Sequence, residues 1–474
     1  MWSSSKRLQI GPCLVLLLIG LPGLAAAQEL EISSSPTPVG SGARAAGMAD
    51  AFVAVADDAT AASWNPAGLV QLERPEISVV GAYNYLMESF GADYHDEFDS
   101  RHHADKLALN YLSLAWPLPV TLLGRNVCLS LNYQQKYDFN RAFSFDFNRS
   151  SAVGALVNDF MHFDFVQKGG LSTITPAAAI EITRRLSIGA AFNFWQPTFL
   201  SDNSWEQTVK GRSTTFAGAT IALSGYYTKE RYEDFTGQNM TLGLLWSPLD
   251  RLSIGVRYDT AFSGKADYRR SELYGLMYLS SGLISMTPET VRERREVHFP
   301  DSLALGVAWR ANDKFTLSMD VTRTDWNDFY VKTGDGERRS LVDFSNLENA
   351  WTRTRFDPTY TVRLGWEYVF LPKEPEEKLG RLWTLRGGVF LDQEPATGKS
   401  DGFRWPGDNG NGRPDNFYGC ALGVGVQLGQ RVNLDAAWQL RYGPGVNSDL
   451  IRGVSGFEED VIQQRFLLST VIYF

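Results

Sequence analysis

The stretch Ser302–Thr322 reads SLALGVAWRANDKFTLSMDVT, and it decides the fold class of this 474-residue chain. Bulky apolar residues take every second position on both sides of Asn312-Asp313, namely Leu303, Leu305, Val307, Trp309, Phe315, Leu317, Met319 and Val321. Successive side chains of a strand point to opposite faces, so this period of two predicts two antiparallel strands joined by a tight turn. The other face begins Ala304, Gly306 and Ala308, which indicates a crowded second side.

The same alternation recurs along the chain and predicts fourteen strands. They start near Ile77, Leu107, Val127, Ile174, Leu186, Leu242, Leu252, Leu303, Phe315, Tyr360, Leu382, Tyr418, Val432 and Val461. Short turns join some strands, at Thr183-Arg184, Leu249-Asp250, Asn312-Asp313 and Gly429-Gln430. The other connections are long polar loops, such as Ser201–Gln238, Gly264–Arg295, Lys332–Asp357 and Asp392–Asn416. An even number of strands with short turns at one end is typical of a bacterial outer-membrane barrel.

A soluble β-sandwich would share this alternation, but its wet face would carry many long lysine and glutamate side chains. Here the polar face is mostly Gly, Ala, Ser and Thr with scattered charges. We therefore predict an all-β protein, a 14-stranded antiparallel transmembrane β-barrel over residues 76–474. Its last strand alternates Phe466, Leu468, Thr470, Ile472 and Phe474, an ending that resembles the signal read by the barrel assembly machinery.

Composition and charge exclude two other classes of protein. Lys plus Arg is 45 and Asp plus Glu is 54, so the net charge is −9, which argues against a nucleic-acid binder. Charged residues make up 21% of the chain, too many for a bundle of membrane helices. The 13% aromatic residues and 43 glycines suit many strands and the aromatic girdles of a membrane barrel.

The N-terminus has the three parts of a secretory signal. Lys6 and Arg7 precede the apolar stretch Pro12–Gly20, and the small residues Ala25–Ala27 follow. We predict a signal peptide over residues 1–27, which for a barrel implies the outer membrane of a Gram-negative bacterium. Cys13 would leave with the signal, and we interpret the remaining Cys128 and Cys420 as small wall residues rather than a disulfide.

Residues 28–75 are predicted to form a hatch, a small N-terminal helical plug inside the lumen. The segment Gly42–Leu69 is rich in Ala and Gly, which suits tight packing and not a solvated tail. We expect Asp58 to cap a short helix through Ala62 and the motif Asn65-Pro66-Ala67 to end it. A loose periplasmic extension is the alternative.

The segment Gly42–Leu69, which ends Trp64-Asn65-Pro66-Ala67-Gly68-Leu69, resembles the hatch of the FadL/TodX outer-membrane transport family. Similar N-terminal sequences also occur in related barrels that serve secretion systems. The block Phe299–Trp326, together with Tyr360–Tyr368 and Asp415–Tyr442, favours the transport family. The resemblance implies a 14-stranded barrel that carries long-chain fatty acids or hydrocarbons. It also implies passive, stepwise binding and lateral release into the membrane.

Two groups of residues are candidates for contact with such a substrate. An apolar capture surface is predicted in one long loop, at Leu273, Tyr274, Leu276, Met277, Tyr278 and Leu283. Four arginines on the lumen face could bind a carboxylate headgroup, namely Arg257, Arg310, Arg363 and Arg386. Each group has an alternative structural role. The loop residues could pack among themselves, and the arginines could brace the barrel by pairing with Asp320, Glu367 and Asp435.

Other functions fit less well. The five histidines lie mostly in predicted loops and we find no strand with a nucleophile and base together, so we predict no enzyme activity, no cofactor and no metal. A hatch argues against a general diffusion porin. The main alternative is a non-transport barrel that assists a secretion system or envelope assembly. The expected partners are a hydrophobic small molecule, outer-membrane lipid and the barrel assembly machinery, with the protein a monomer.

Overall fold

The computed structural model describes most of the chain between Thr37 and Phe474. The described residues are 37–38, 40–92, 96–119, 124–151, 157–217, 220–279, 282–339, 356–371, 380–396, 413–447 and 457–474. The predicted signal peptide, residues 1–27, and the beginning of the predicted hatch segment lie outside them. Within the described residues, no helix is long and apolar enough to cross a membrane.

The described strands form one continuous sheet. They are β1 (Thr37–Pro38), β2 (Glu76–Gly91), β3 (Ser100–Pro117), β4 (Val127–Asp138), β5 (Arg141–Ser151), β6 (Val157–Thr183), β7 (Leu186–Trp195), β8 (Ser204–Ala217), β9 (Thr220–Leu249), β10 (Leu252–Asp259), β11 (Phe262–Tyr278), β12 (Leu283–Phe299), β13 (Ser302–Asn312), β14 (Phe315–Thr324), β15 (Tyr330–Lys332), β16 (Arg338–Arg339), β17 (Thr359–Phe370), β18 (Arg381–Glu394), β19 (Asp415–Leu428), β20 (Val432–Val446) and β21 (Glu458–Tyr473).

Fourteen of these strands close into the barrel wall, which confirms the predicted fold class. Around the wall the order is β2, β3, β4, β6, β7, β9, β10, β13, β14, β17, β18, β19, β20 and β21. Every neighbouring pair is antiparallel, and β21 returns to β2 with Glu76 opposite Tyr473 and Gly91 opposite Glu458. Closure gives every wall strand a hydrogen-bonded neighbour on each side over at least part of its length, as a strand in the membrane requires.

The two faces of the wall differ as the alternation predicts. On β13, the side chains of Leu303, Leu305, Val307 and Trp309 are exposed to the surroundings of the barrel. Ala304 and Ala308, on the opposite face, are buried in the lumen. Outward-facing apolar side chains of this kind are typical of the band that contacts lipid in an outer-membrane barrel. The period of two therefore determines which face of each wall strand contacts the membrane.

The prediction that the long connections are loops is wrong for Ser201–Gln238 and Gly264–Arg295. They form β8, the outer part of β9, β11 and most of β12, and they extend the wall into a sheet beyond one rim. β6 and β9 run from the wall into this sheet without interruption, and β8 pairs with both. In this sheet aromatic residues alternate with charged ones, so the sequence lacks the bulky lipid-facing series that marks the wall. The connections at 332–357 and 392–416 lie partly outside the described residues.

The opposite rim carries the short turns. β6 leads into β7, β9 into β10, β13 into β14 and β19 into β20 within a few residues. Neighbouring turns are joined by ion pairs, since Arg185 Nη2 lies 3.0 Å from Asp250 Oδ1 and Arg251 Nη2 lies 3.6 Å from Asp313 Oδ1. Both described cysteines are free, with Cys128 buried in the wall.

The hatch lies inside the barrel before β2. It contains α1 (Ala43–Gly47), α2 (Ala61–Trp64) and a 3-10 helix at Pro66–Gln71. Asp58 does not cap α2 directly, because Thr60 is the residue before the helix and Asp58 Oδ1 instead accepts hydrogen bonds from Thr60 N and Oγ1. Almost every described hatch residue from Ser41 to Leu69 is buried, as a plug surrounded by the wall must be.

The lengths of the connections predict the orientation of the barrel in the membrane. Because outer-membrane barrels keep their short turns in the periplasm, the β11–β12 hairpin should lie on the cell surface. An epitope tag inserted at Gly282 should bind antibody on intact cells, and a tag at Asp250 only after permeabilisation. The reverse labelling pattern would show that the barrel is inverted.

Candidate functional site

The Asn65-Pro66-Ala67 motif fastens the end of the hatch to the wall. Asn65 is fully buried, and its Nδ2 donates to Val53 O at 2.9 Å and to Leu244 O of β9 at 3.0 Å. Its Oδ1 accepts from Ala67 N at 3.1 Å, which caps the 3-10 helix that begins with Pro66. Ser187 Oγ of β7 donates to Ala67 O at 2.9 Å. The motif therefore joins the two halves of the hatch to each other and to two wall strands.

A buried ionic chain, Arg44–Glu367–Arg386–Asp435, fastens the other half of the hatch. Arg44 of α1 donates from Nε and Nη2 to Glu367 of β17, each at 3.0 Å. Arg386 Nε donates to Glu367 Oε2 at 2.6 Å, and Arg386 Nη1 donates to Asp435 Oδ1 at 2.5 Å. Arg44 also pairs with Asp57 within the hatch. Each carboxylate thus neutralises a buried guanidinium, which offsets the cost of removing these charges from water.

Arg44 also lies near Asp58, with 3.7 Å between Arg44 Nη1 and Asp58 Oδ2. Burial raises the pKa of the Asp58 carboxyl above its ordinary value, while Arg44 and the hydrogen bonds from Thr60 act in the opposite direction. The ion pair therefore stabilises the charged form of Asp58 against the effect of burial. This holds the loop that joins the two hatch halves close to α1.

The hatch backbone lies directly against the wall where the wall carries glycine. A Cβ atom at any of these positions would come within 3.0 Å of hatch atoms, at Gly189, Gly243, Gly255, Gly306, Gly365, Gly388 and Gly423. Gly365 faces the backbone of Met48, and Gly255 faces that of Val53. The small lumen-facing residues of the sequence therefore have a specific use, since they make room for the plug.

Above the hatch the lumen holds a cavity of about 330 Å³. Hatch residues including Ser41, Val53 and Trp64 form its floor. One side is an aromatic stack, in which Phe299 lies 5.4 Å from Tyr137 and 5.0 Å from Phe262 between ring centroids, and Phe262 lies 5.0 Å from Trp195. A flat apolar wall of this kind suits a hydrophobic ligand.

The cavity also contains two cations that lack partners. Lys136 and Arg363 line it, and neither side chain makes an ion pair or hydrogen bond with the described residues. Asp320, opposite Arg363 in the ladder, instead accepts a hydrogen bond from Val53 N of the hatch at 2.8 Å. Asp320 acts on Arg363 and Asp259 on Lys136 only through space, so both cations can still form a direct ion pair beside the aromatic stack.

The four predicted arginines lie in different surroundings. Arg386 is 2% exposed within the buried ionic chain, which favours its bracing role. Arg257 pairs with Asp259 at 3.0 Å and donates weakly to the hatch carbonyls of Ser63 and Trp64. Arg310 is exposed near the short-turn rim and is not among the residues that line the cavity. Of the four, Arg363 alone combines a place in the cavity with a side chain free of described partners.

The predicted capture surface is divided between two faces of the β11–β12 hairpin. Leu273 and Met277 share the outer face with Phe160 and Ile284, which are 49% and 65% exposed. Tyr274, Leu276 and Tyr278 occupy the alternate positions, on the face of Tyr268 that packs into the aromatic core, and Leu283 is the ladder partner of Tyr278. The period of two separates residues that the sequence suggested as one surface.

The wall has a weak point between β3 and β4. Their ladder runs only from Tyr111 opposite Gln134 to Pro117 opposite Cys128. Just beyond it, β4 changes register against its other neighbour, β6, between Gln135 and Tyr137. Beyond it, in the described chain, Ser100–Asn110 of β3 has no ladder partner on β4. The short strand β1 pairs with β4 there instead, and Lys106 Nζ donates to Asp138 Oδ1 at 3.2 Å.

One histidine has a neighbour that the sequence did not reveal. Ser263 Oγ of β11 lies 2.9 Å from His298 Nδ1 of β12, since the two residues are ladder partners. The prediction that no strand places a nucleophile beside a base is therefore wrong, since Ser263 and His298 are within hydrogen-bond distance of each other. The His298 ring stacks on Tyr330, with 4.7 Å between ring centroids, so the pair is part of a packed cross-strand cluster.

Comparison with known proteins identifies the family. Residues 24–443 match the family described as outer membrane protein transport protein (OMPP1/FadL/TodX). The chain belongs to the FadL/TodX family. A FadL/TodX barrel resides in the outer membrane of Gram-negative bacteria, and the family comprises transport channels for hydrophobic molecules rather than enzymes. No curated protein matches the chain.

Two solved structures share the fold of this FadL/TodX protein. A Pseudomonas aeruginosa FadL homologue is 16% identical, with a TM-score of 0.57 over 93% of this chain and 100% of that chain. The Ralstonia pickettii toluene transporter TbuX is 13% identical, with a TM-score of 0.50 over 92% of this chain and 98% of that chain. At these identities the likeness extends to the fold, and the residues of the cavity must be judged on their own chemistry.

Sequence reasoning missed several residues of the site. Arg44 was part of the predicted hatch, but nothing in the sequence indicated its partner Glu367, 323 residues away. Lys136 stands at the register shift of β4, which alternation alone does not reveal. The sequence did contain one useful indication of Glu367 and Lys136. Each is a charged residue in an otherwise regular membrane strand, and membrane proteins retain such charges mainly for function or for ion pairing.

The ionic chain predicts how firmly the hatch is held. Glu367→Gln would leave Arg44 and Arg386 facing a neutral amide, and loss of one partner from a buried ion pair typically costs about 3–5 kcal/mol. The variant barrel should unfold at a lower temperature and show higher single-channel conductance in planar bilayers, because the hatch is freed.

Glu458→Gln, at an exposed position of β21, is the matched control and should behave like the parent protein. If Glu367→Gln conducts no more than the parent, the ionic chain does not hold the plug in place.

Proposed function

We propose that this FadL/TodX protein carries hydrophobic molecules that bear an anionic headgroup, with long-chain fatty acids as the best example. The supporting observation is the cavity above the hatch, where the aromatic stack lies beside Lys136 and Arg363. Each square ångström of apolar area removed from water contributes about 25 cal/mol, so the aromatic side supplies affinity for the chain. The two cations supply selectivity for the carboxylate.

The charge of the cavity supports an acid over a neutral hydrocarbon. Arg363 and Lys136 are the cavity cations without described partners, whereas Arg257 and Arg386 have acidic partners. A guanidinium forms a bidentate, charge-assisted pair with a carboxylate, which is about twice as strong as a neutral hydrogen bond. Asp320 acts on Arg363 and Asp259 on Lys136 without a close ion pair, so a carboxylate ligand would add a direct ionic contact that a neutral hydrocarbon cannot make.

We infer that substrate enters from the rim that carries the outer sheet and leaves sideways. The inner-face residues Tyr274, Leu276 and Tyr278 lie on the side of the sheet that continues into the aromatic core, so they form an apolar approach to the cavity. The exit lies between β3 and β4, where side chains and β1 close the wall in place of a ladder. Displacement of β1 would open a path from Lys136 and Tyr137 to the lipid.

This route needs no external energy source. The substrate moves from water to the aromatic cavity and then to the hydrocarbon region of the membrane, and each step removes apolar area from water or keeps it removed. The hatch has two tasks in this scheme. It keeps polar solutes out of the periplasm, and it provides the floor against which the bound molecule is turned toward the wall.

The headgroup proposal predicts a selective defect. Arg363→Met should weaken oleate binding to the purified protein by about tenfold or more, because a hydrogen bond to a charged group contributes roughly 1.5–3 kcal/mol. Uptake of labelled oleate by cells should fall, while uptake of toluene stays at the parent level.

Arg310→Met removes an equal charge at the exposed rim and should change neither substrate. Equal loss of oleate and toluene in Arg363→Met would show that Arg363 braces the barrel. Unchanged uptake of both in cells that lack the protein would instead support a secretion or assembly role.

The exit proposal predicts that fixing β1 to β4 stops transport. Thr37 and Asp138 are ladder partners, so their Cα atoms lie about 4.5–5.5 Å apart, within the range that a disulfide spans. In a background with Cys128 and Cys420 replaced by Ala, oxidised T37C/D138C should show oleate uptake as low as cells without the protein. Reduction should restore it.

L114C/L131C, a ladder pair in the regular part of β3 and β4, serves as the matched cross-link and should leave uptake unchanged. Full uptake by oxidised T37C/D138C would exclude this gap as the exit.

A further inference from the structure

A row of cations crosses the outer face of the sheet beyond the rim. Ladder pairing places Lys168 of β6 opposite Glu206 of β8, and Glu206 opposite Arg231 of β9. Arg231 is opposite Arg269 of β11, and Arg269 is opposite Arg292 of β12. We name Lys168, Arg231, Arg269 and Arg292 the arginine row. It places three guanidinium groups on three successive strands.

Such a row is unfavourable unless an anion is present, because like charges directly opposite on adjacent strands repel each other. Glu206 reduces this repulsion at one end of the row, because Glu206 Oε2 lies 3.2 Å from Arg231 Nε and 3.0 Å from Lys229 Nζ. Arg269 and Arg292 make no ion pair or side-chain hydrogen bond with the described residues. They are therefore free to bind an anion from outside.

The charges around the row keep the face positive. The ladder rows on either side carry two acids, Glu233 and Asp267, and two further cations, Lys229 and Arg294, so the excess positive charge lies in the arginine row itself. Glu233 already lies 3.8 Å from Arg231. Beyond Arg292, β12 has an open edge in the described chain, because β15 pairs only with Glu296 to His298.

The position of the row indicates the kind of anion. On β6, alternation places Lys168 on the same face as Pro176, Ala178 and Ile182, which lie on the lipid side of the wall. Ile174, on the same face of β6, lies near the start of the wall portion of this strand. Lys168 is six positions before it, which corresponds to about 20 Å along an extended strand. The opposite face of the same sheet packs Tyr232 and Tyr268 into the aromatic core. The row is therefore turned away from the lumen, on the same side as the lipid-facing residues, in the part of the sheet that extends beyond the wall.

We propose that the arginine row binds the phosphate groups of lipopolysaccharide in the outer leaflet, fixing the outer sheet against the surrounding glycolipid. Arginine suits this ligand because its planar guanidinium binds phosphate oxygens in pairs. A row of three such groups matches a headgroup region that carries several phosphates. The proposal depends on the outer-membrane location and is independent of the transported substrate.

The test compares lipopolysaccharide binding by purified, detergent-solubilised protein and by R269Q/R292Q. Fluorescently labelled lipopolysaccharide should bind the double variant at least roughly tenfold more weakly, since each lost pair is a charge-assisted hydrogen bond. The parent should bind enzymatically dephosphorylated lipopolysaccharide as weakly as the variant binds the intact form. Added salt should reduce the difference between the two proteins.

R184Q/R431Q removes two exposed charges at the short-turn rim and should bind like the parent. Equal binding by R269Q/R292Q and the parent, or equal weakening by both double variants, would overturn the proposal. R269K/R292K, which keeps the charges, should retain most of the affinity. If R269Q/R292Q does not show the heat-dependent gel migration of a folded barrel, R292Q alone replaces it, because Arg292 lies at the open edge of β12.

Discussion

The arrangement of the lumen depends on one buried chain of charges, from Arg44 through Glu367 and Arg386 to Asp435. It links a plug made largely of small apolar residues to three strands of the wall, β17, β18 and β20. Because each guanidinium in the chain has an acidic partner, none of this charge is available to a ligand. The two cavity cations that make no close ion pair with the described residues are Lys136 and Arg363, so bracing and the proposed recognition use different residues.

The same division explains how the barrel can be both plugged and selective. Glycines on seven wall strands let the hatch backbone lie against the wall, and Asn65 and Arg44 fasten its two ends. The space that remains lies above the hatch and combines aromatic rings with unpaired cations. Among the described residues, its weakly sealed side is the gap between β3 and β4, where β1 pairs with β4. A molecule bound in the cavity therefore lies between the fastened hatch below it and the β3–β4 gap, which is the proposed exit, at its side.

Alternation predicted the barrel because lipid imposes it on every wall strand, and all fourteen predicted starts fall in or next to a wall strand. It failed in the outer sheet, where charged residues interrupt the apolar series and the residues of β8 and β11 resemble polar loops. It also could not separate the four arginines, since all were assigned to the lumen face. Their differences arise from partners such as Glu367 and Asp259 and from position along the strand. Lys136 was missed because it occupies a register shift, where alternation breaks down.

The contacts of the hatch also constrain the order in which the protein folds. Ala43 N donates to Ser469 Oγ, 426 residues later, and Gln439 Nε2 donates to Ala46 O, 393 residues away. The hatch, which precedes the wall strands in the chain, therefore cannot reach its final position until the last strands have paired. Contacts so distant in sequence form slowly, because a long loop must close before they stabilise anything. The barrel must hold its earliest segment unfixed in its interior until β20 and β21 complete the ring.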